Sequence, residues 1–190
     1  MLYSDYALKY LPSSIIPCIL VLTRKNALNI LCELRANGIT SYMNIKNKLS
    51  PAVIKTSLQG TTKEEVIREL LEVLVEAQLV TDRETVYEAL MERERKMSTG
   101  LQHGVAIPHA KTTAVKSLVA CIGLKPEGVD FAALDGLPSR IFIMTLSPVD
   151  RVGPHVQFLA EVSMVIRTEE ARERLLQSKN AQDVLSVFGL

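Results

Sequence analysis

Short apolar runs separated by Gly, Pro and polar residues in the second half of the chain have the length and composition of buried β-strands. Three of these runs cover residues 105–107, 118–124 and 141–146. The last run is apolar at almost every position, which predicts a central strand with both faces covered. A less regular run at residues 53–58 predicts a first strand, and the sequence Lys125-Pro126-Glu127-Gly128 predicts a turn after residue 124.

Segments with helical spacing of apolar residues alternate with these strands. The predicted helices cover residues 61–74, 81–95, 154–166, 169–176 and 180–188. Two overlapping capping-box spacings, Thr61 to Glu64 and Thr62 to Glu65, stand at the start of the first helix, and Thr81-Asp82-Arg83-Glu84 repeats this pattern before the second. Pro154 suits the first turn of the third helix. The alternation predicts an α/β domain with a mixed central β-sheet flanked by helices.

Residues 1–47 are predicted to be an N-terminal extension of unknown role, and residues 48–190 the main domain. In the extension, residues 3–11 and 26–34 have near-helical spacing, whereas residues 15–22 fit either a strand or a buried helix. Lys46-Asn47-Lys48 is typical of a linker. Two roles stay open for the extension: a docking or dimerisation element, or a structural segment that packs on the main domain.

Composition narrows the class of protein. The chain has 190 residues and a formal net charge of +1, so it carries no overall basic footprint for nucleic acid or an anionic membrane. The apolar run at residues 15–22 is too short to span a bilayer. Cys18, Cys32 and Cys121 form no CxxC or Cys/His metal spacing, and their odd number argues against a disulfide framework. We therefore expect a cytoplasmic protein with reduced thiols.

Candidate chemistry is concentrated in residues 98–110, where a polar, glycine-containing loop leads into a short apolar strand. Pro108 ends that strand and presents His109 at a defined position on the sheet edge. Gly100 and Gly104 allow tight turns or close approach to a bound group, and Ser98 and Thr99 add hydroxyl and amide donors. These residue types are those of an anion-binding loop.

Each of the other charged and titratable residues allows two interpretations, a structural role or a role in a site. Arg93, Arg95 and Lys96 end the second helix, where they either serve only the helix dipole or contribute to a site. His155 follows the predicted central strand, where open α/β sheets place their ligand sites, although a structural histidine is the plain alternative. A zinc site formed by His103, His109 and His155 is a further alternative, but no carboxylate stands beside them in sequence as an orienting partner.

Two segments carry a family signature, namely Arg93-Glu94-Arg95-Lys96-Met97-Ser98-Thr99-Gly100 and Gly104-Val105-Ala106-Ile107-Pro108-His109. Together they resemble the active-site signature of the fructose/mannitol-type EIIA domains of the bacterial phosphotransferase system, a group that includes the nitrogen-regulatory EIIA proteins. Two later segments, at residues 126–131 and 155–159, match that family's post-strand turn and second active-site histidine. The resemblance covers roughly residues 49–190, and it implies the fold of that family for the main domain.

The resemblance also implies a set of roles. His109 would accept a phosphoryl group, His155 would be the second active-site histidine, and Arg93 would face the accepting ring. Ser98, Thr99, Gly100 and Gly104 would bind the phosphoryl group. The family's loop varies at His103, so the resemblance gives that residue no role.

The function implied is that of a phosphocarrier without cofactor or metal. The donor would be phosphorylated HPr or its nitrogen-branch relative. The acceptor would be an EIIB cysteine, unless regulatory proteins read the phosphorylation state. No Walker or kinase motif is present, so nucleotide is not the expected donor. Two alternatives remain, namely a binding module that keeps the fold without transfer, and a histidine-dependent metalloenzyme.

Overall fold

The computed structural model describes residues 45–150 and 153–190. The elements predicted at residues 3–11, 15–22 and 26–34 lie outside these residues, and so does nearly all of the proposed extension. Within the described ranges, the chain forms a five-stranded mixed sheet and five α-helices. No helix in this part of the chain is long and apolar enough to cross a membrane. The predicted α/β class is confirmed.

Along the described part of the chain, one strand is followed by two α-helices, four strands and three α-helices. The strands are β1 (Ile54–Lys55), β2 (Val105–Ala106), β3 (His109–Lys111), β4 (Val119–Val129) and β5 (Ser139–Ser147). The helices are α1 (Lys63–Glu76), α2 (Arg83–Lys96), α3 (Gly153–Ile166), α4 (Glu169–Leu176) and α5 (Ala181–Val187).

The helix starts follow from local capping chemistry. The Thr62 hydroxyl accepts from the backbone N–H of Glu65, whose carboxylate accepts from the backbone N–H of Thr62, so the predicted capping box is present. Asp82 accepts from the N–H of Thr85 at the start of α2. Pro154 lies in the first turn of α3, where its missing N–H costs no helical hydrogen bond.

Strand β5 is the centre of the sheet, as predicted. The strand order is β1-β4-β5-β2, and β3 also pairs with β5. β5 runs antiparallel to β4 and parallel to both β2 and β3. Ile141, Phe142, Ile143 and Met144 are at most 1% exposed, because both faces of β5 are covered. The chain leaves β5 and enters α3, which carries His155.

Pro108 interrupts the edge strand without ending it. β2 pairs with the first half of β5 (Val105 beside Ile141), and β3 pairs with its second half (His109 beside Thr145). The Pro108 carbonyl accepts from the N–H of Thr145 at 2.9 Å, so pairing continues across the proline. The sheet-edge position is as expected, but a further strand begins at His109, directly after the proline that was predicted to end the strand.

Two local predictions are wrong in detail. Residues 125–128 do not form a turn, because β4 continues to Val129 with a bulge. Leu124 pairs with Ile141, and Val129 pairs with Ser139. Residues 125–128 of β4 therefore lie opposite a single residue of β5, Arg140.

Near the start of the described chain, a second prediction fails. The predicted strand at residues 53–58 shrinks to Ile54–Lys55, because Pro51–Val53 forms a 3₁₀ turn. The expected linker around Lys46 overlaps a second 3₁₀ turn, Ile45–Asn47. The N–H of Ile45 donates to the Glu161 carboxylate on α3 at 3.0 Å, which ties this turn to the main domain.

Candidate active site around His109

His109 stands at the start of β3 with its ring only partly exposed. Its Nδ1 atom lies 2.8 Å from the carbonyl oxygen of Ile107. A carbonyl oxygen can only accept, so Nδ1 must carry the proton and donate to it. In this neutral tautomer the lone pair is on Nε2, which therefore is the nucleophilic atom of the ring.

Arg93 meets that lone pair from the last turns of α2. Its Nε–H donates to Nε2 of His109 at 3.1 Å, and its Nη1 donates to the carbonyl of Met97 at 2.9 Å. The contact between Arg93 and His109 is the one the sequence predicts. Of the other two basic residues, Lys96 pairs with the exposed Glu92 at 2.7 Å, and Arg95 is exposed.

His155 is brought to the same place by the first turn of α3. Its ring centroid lies 5.4 Å from that of His109, with the two ring planes tilted by 45°. The residue is 6% exposed, and its Nδ1 has no hydrogen-bond partner in the described part of the chain. A buried polar atom without a partner lowers the stability of the fold, so the structure alone gives no reason for a histidine at this position.

Both rings are held neutral. Burial, followed by the positive charge of Arg93, lowers the pKa of His109 from 6.5 to about 4, against the hydrogen bond to Ile107, which raises it. Burial, followed by His109, Lys111 and Arg93, lowers the pKa of His155 to about 3. At neutral pH the Nε2 lone pair of His109 is therefore unprotonated, which a nucleophile requires.

The polar residues of the loop donate their hydrogen bonds to other groups of the protein. The Ser98 hydroxyl donates to the carbonyl of Phe131 at 2.6 Å and accepts from the N–H of Gly100 at 3.1 Å. Thr99 gives both its N–H and its hydroxyl to the buried carboxylate of Glu94. Binding of a phosphoryl group by Ser98, Thr99 and Gly100 stays a prediction, while their observed bonds hold the loop.

The two predicted loop glycines are required by backbone geometry. A Cβ on Gly100 would lie 2.9 Å from the carbonyl oxygen of Phe131, so only glycine permits this approach. Gly104 has φ +72°, in the left-handed region that favours glycine. Its carbonyl accepts from the N–H groups of Arg140 and Ile141, which joins the loop to β5. A phosphate-binding role for Gly104 likewise stays a prediction.

His103 has a different setting from the other two histidines. It is exposed, adopts φ +62°, and its N–H donates to the Asp135 carboxylate at 2.8 Å. Among residues 45–150 and 153–190, no group of three or more His, Cys, Asp or Glu side chains is arranged to hold a metal ion. The alternative of a three-histidine zinc site is not found in that part of the chain.

Two residues that neighbour the site, Lys111 and Glu94, were not predicted from the sequence to belong to it. Lys111 follows His109 by two positions in β3, so both side chains lie on one face of the sheet, and its charge lowers the pKa of His155. Strand alternation could have identified it had β3 been predicted. Glu94 is 7% exposed although it is a carboxylate near the C-terminus of α2, where the helix dipole disfavours negative charge. A negative charge in this unfavourable position is the feature of the sequence that could have identified Glu94.

Comparison with known proteins shows relatives of this chain. The chain is 39% identical over 127 residues to the fructose-specific EIIA component of Haloferax volcanii, covering 67% of this chain and 82% of that protein. It is 28% identical over 148 residues to the nitrogen regulatory protein of Bradyrhizobium diazoefficiens, covering 78% and 96%. A 33% match to the fructose-specific EIIABC component of Bacillus subtilis covers 77% of this chain but 23% of that longer protein.

Solved structures give the same grouping. The nitrogen regulatory protein IIA-Ntr of Neisseria meningitidis superimposes with a TM-score of 0.70 at 28% identity, covering 76% of this chain and 98% of that one. The mannitol IIA component of Escherichia coli, in its complex with phosphorylated IIB, gives a TM-score of 0.65 at 26% identity, covering 75% and 97%. The family model for the EIIA 2 component of the phosphoenolpyruvate-dependent sugar phosphotransferase system matches residues 47–189. The chain belongs to this EIIA 2 family of phosphoryl-transfer components.

Proposed function

We propose that this protein is a phosphohistidine carrier in which Nε2 of His109 accepts a phosphoryl group from phosphorylated HPr or its nitrogen-branch relative. One observation carries the proposal. The bond from Nδ1–H to the Ile107 carbonyl leaves the Nε2 lone pair beside the guanidinium of Arg93. A neutral nucleophile next to a fixed cation suits attack on an anionic phosphoryl group.

The transfer is an in-line displacement at phosphorus. The Nε2 lone pair of His109 forms the new P–N bond as the bond to the donor's imidazole breaks, and that electron pair returns to the donor nitrogen. The Nδ1 proton stays in place, so the bond to the Ile107 carbonyl persists in the phosphorylated ring. No proton has to leave Nε2, because this tautomer carries none there.

Arg93 and His155 have complementary tasks in this proposal. Nε2 gives up its bond to Arg93 as phosphorus arrives, and the guanidinium then donates to the phosphoryl oxygens, for which its planar fork is suited. His155 supplies a nitrogen for the group held between the rings. Ser98, Thr99, Gly100 and Gly104 shape the loop next to it.

The onward step gives the phosphoryl group to a cysteine thiolate of an EIIB partner, with the P–N electron pair returning to Nε2. The mannitol IIA relative from Escherichia coli was solved together with phosphorylated IIB, which supports an EIIB partner here. The carrier would act in the cytoplasm. Similarity to nitrogen regulatory proteins supports a second outcome, in which regulatory partners read the phosphorylation state.

Mass spectrometry of the intact protein tests the proposal. The full chain is incubated with phosphoenolpyruvate, enzyme I and HPr, or with their nitrogen-branch counterparts, and handled at neutral or basic pH. We expect one acid-labile phosphate on His109, lost in His109→Ala and kept in the matched control His103→Ala, which changes an exposed loop histidine. Absence of phosphate on the wild-type protein with both sets of donors would refute the proposal, and so would its retention in His109→Ala.

A further inference from the structure

A buried carboxylate beneath the site connects the accepting histidine to the first helix. Glu94 accepts the N–H of Thr99 with both oxygens, at 3.1 and 3.0 Å, and accepts the Thr99 hydroxyl at 2.6 Å. It also forms a 2.8 Å ion pair with Lys63, the first residue of α1. Both side chains are largely buried, at 5% and 18% exposure.

Two further hydrogen bonds connect Thr99 to His109. The carbonyl of Thr99 accepts the N–H of Ile107 at 3.0 Å, and the carbonyl of Ile107 accepts Nδ1–H of His109 at 2.8 Å. The peptide of Ile107 is thus held at its N–H by the anchored loop, while its carbonyl selects the tautomer of the nucleophile. Displacement of Thr99 would move the acceptor that keeps the proton on Nδ1.

The same anchor restrains Arg93. Met97 lies between Glu94 and Thr99 in sequence, and its carbonyl receives Nη1–H of Arg93 at 2.9 Å. Lys63 extends the restraint, because its Nζ lies 3.4 Å from the Ser98 hydroxyl and 5.0 Å from the Phe131 ring centroid. The position of the guanidinium beside Nε2 therefore depends on the segment that Glu94 holds.

A buried carboxylate at this position stabilises the fold less than an apolar side chain would, so packing alone does not explain it. It lies near the negative end of the α2 dipole, and its burial removes water that would stabilise its charge. Lys63 and the two Thr99 donors offset that cost by giving strong, charge-assisted hydrogen bonds of fixed direction. Such bonds fix the loop more closely than apolar contacts would.

We propose that Glu94 is a positioning residue for phosphoryl transfer, which acts through Thr99 to fix both the tautomer of His109 and the place of Arg93. Lys63 supports it by neutralising its charge. The effect on transfer rests on the proposed function. The effect on the tautomer does not, because it concerns the unphosphorylated protein.

The first experiment reads the tautomer directly in full-length protein without any donor. Two-bond ¹H–¹⁵N spectra distinguish a protonated Nδ1 from a protonated Nε2 in neutral histidine. The variants are Glu94→Gln, Thr99→Val and the conservative Thr99→Ser. Glu92→Gln is the matched control, since Glu92 lies on the same helix in an exposed pair with Lys96. We expect a mixture of tautomers at His109 in the first two variants and wild-type spectra in the last two.

The second experiment measures phosphorylation rates against the concentration of phosphorylated HPr. Misplacement of reacting groups by about 1 Å lowers rates by up to about 100-fold. We expect kcat to fall by about 10- to 100-fold in Glu94→Gln and Thr99→Val with little change in KM, because Glu94 and Thr99 are buried, at 7% and 4% exposure, and offer almost no surface to a donor protein. Thr99→Ser keeps the hydroxyl that donates to Glu94, so it should recover most of the rate lost in Thr99→Val, while Glu92→Gln should keep the wild-type rate.

The two readouts separate the possible failures. Glu94→Gln and Thr99→Val proteins that melt earlier but keep the Nδ1–H tautomer and wild-type kcat would overturn the proposal, because Glu94 would then serve stability alone. An unphosphorylated wild-type protein would instead refute the carrier function, while the spectra would still decide whether Glu94 controls the tautomer. Should Glu94→Gln not fold, Thr99→Val and Thr99→Ser carry both tests.

Discussion

Acid should destabilise this protein through its two buried histidines before most carboxylates titrate. Both rings have an ordinary pKa of 6.5, which the fold lowers to about 4 for His109 and about 3 for His155. Between those values and 6.5, the unfolded chain binds protons that the folded chain excludes. Stability is therefore fully present above about pH 6.5 and falls as the pH falls.

The size of the loss follows from linkage. A histidine protonated only in the unfolded state removes up to about 1.4 kcal/mol of stability per pH unit. With two such residues, the free energy of unfolding should drop by about 2 to 2.5 kcal/mol between about pH 6 and pH 5. That is a large share of the roughly 5 to 15 kcal/mol that stabilises an ordinary domain.

Carboxyl groups contribute mainly at lower pH. Those with a lowered pKa lose their stabilising effect only as the pH falls below their ordinary values of 4.5 or 3.8; they are Glu65, Glu69, Asp82, Glu92 and Asp135. Burial raises the pKa of Glu161, so its proton uptake in the folded state opposes the histidine effect. The interval from about pH 5 to pH 6 therefore reports chiefly on the two rings.

Urea unfolding of the full chain at several pH values across this interval provides the assay. The quantity compared is the slope of the unfolding free energy against pH, so a change in baseline stability does not matter. His109→Gln and His155→Gln should each lower the wild-type slope by roughly half. If His109→Gln has the wild-type slope, then His109 titrates alike in the folded and unfolded chains, and the reasoning about its neutral, buried ring is refuted.

Two further predictions concern Arg93 and Gly104. Arg93→Lys keeps the charge but loses the fork that reaches Nε2 of His109 and the carbonyl of Met97 together, so phosphorylation should slow by at least about 10-fold; a wild-type rate in a stopped-flow or quench assay would contradict this. Gly104→Ala forces a side chain into φ +72°, which should cost about 1 to 2 kcal/mol of unfolding free energy in urea titrations; unchanged stability would contradict the assigned backbone strain.

Elements whose signals are local could be predicted from the sequence. The box formed by Thr62 and Glu65 sets the start of α1 within one turn of the chain, and Asp82 does the same for α2. The apolar run of β5 needs both faces covered wherever it lies, so its central place followed as well. The contact between Arg93 and His109 was implied by the resemblance to the EIIA family, in which an arginine at this position faces the histidine, and the helical pattern alone left the role of Arg93 open.

Elements that depend on distant partners could not be predicted in this way. β3 exists because Thr145 and Leu146 offer pairing groups beyond Pro108, and nothing in the sequence near the proline indicates this. The bulge at residues 125–128 likewise reflects the register set by Ser139 and Ile141. Glu94 stood inside the recognised motif, yet its partner Lys63 is 31 positions away, so its role emerges only from the fold.

The chemistry of the site likewise depends both on local sequence and on partners that are distant in sequence. Sequence motifs determine which ring is presented, but the reactivity of that ring comes from groups assembled by the fold. Burial and Arg93 keep His109 neutral, while the Ile107 carbonyl directs its lone pair to Nε2. The bond from Arg93 occupies that lone pair in the unphosphorylated protein, so the proposed transfer to His109 would require its exchange. Because Nη1 is bonded to the carbonyl of Met97, the guanidinium would release Nε2 and remain beside the incoming phosphoryl oxygens. In the proposed carrier, one side chain would thereby cover the nucleophilic nitrogen before transfer and stabilise the transferred group afterwards.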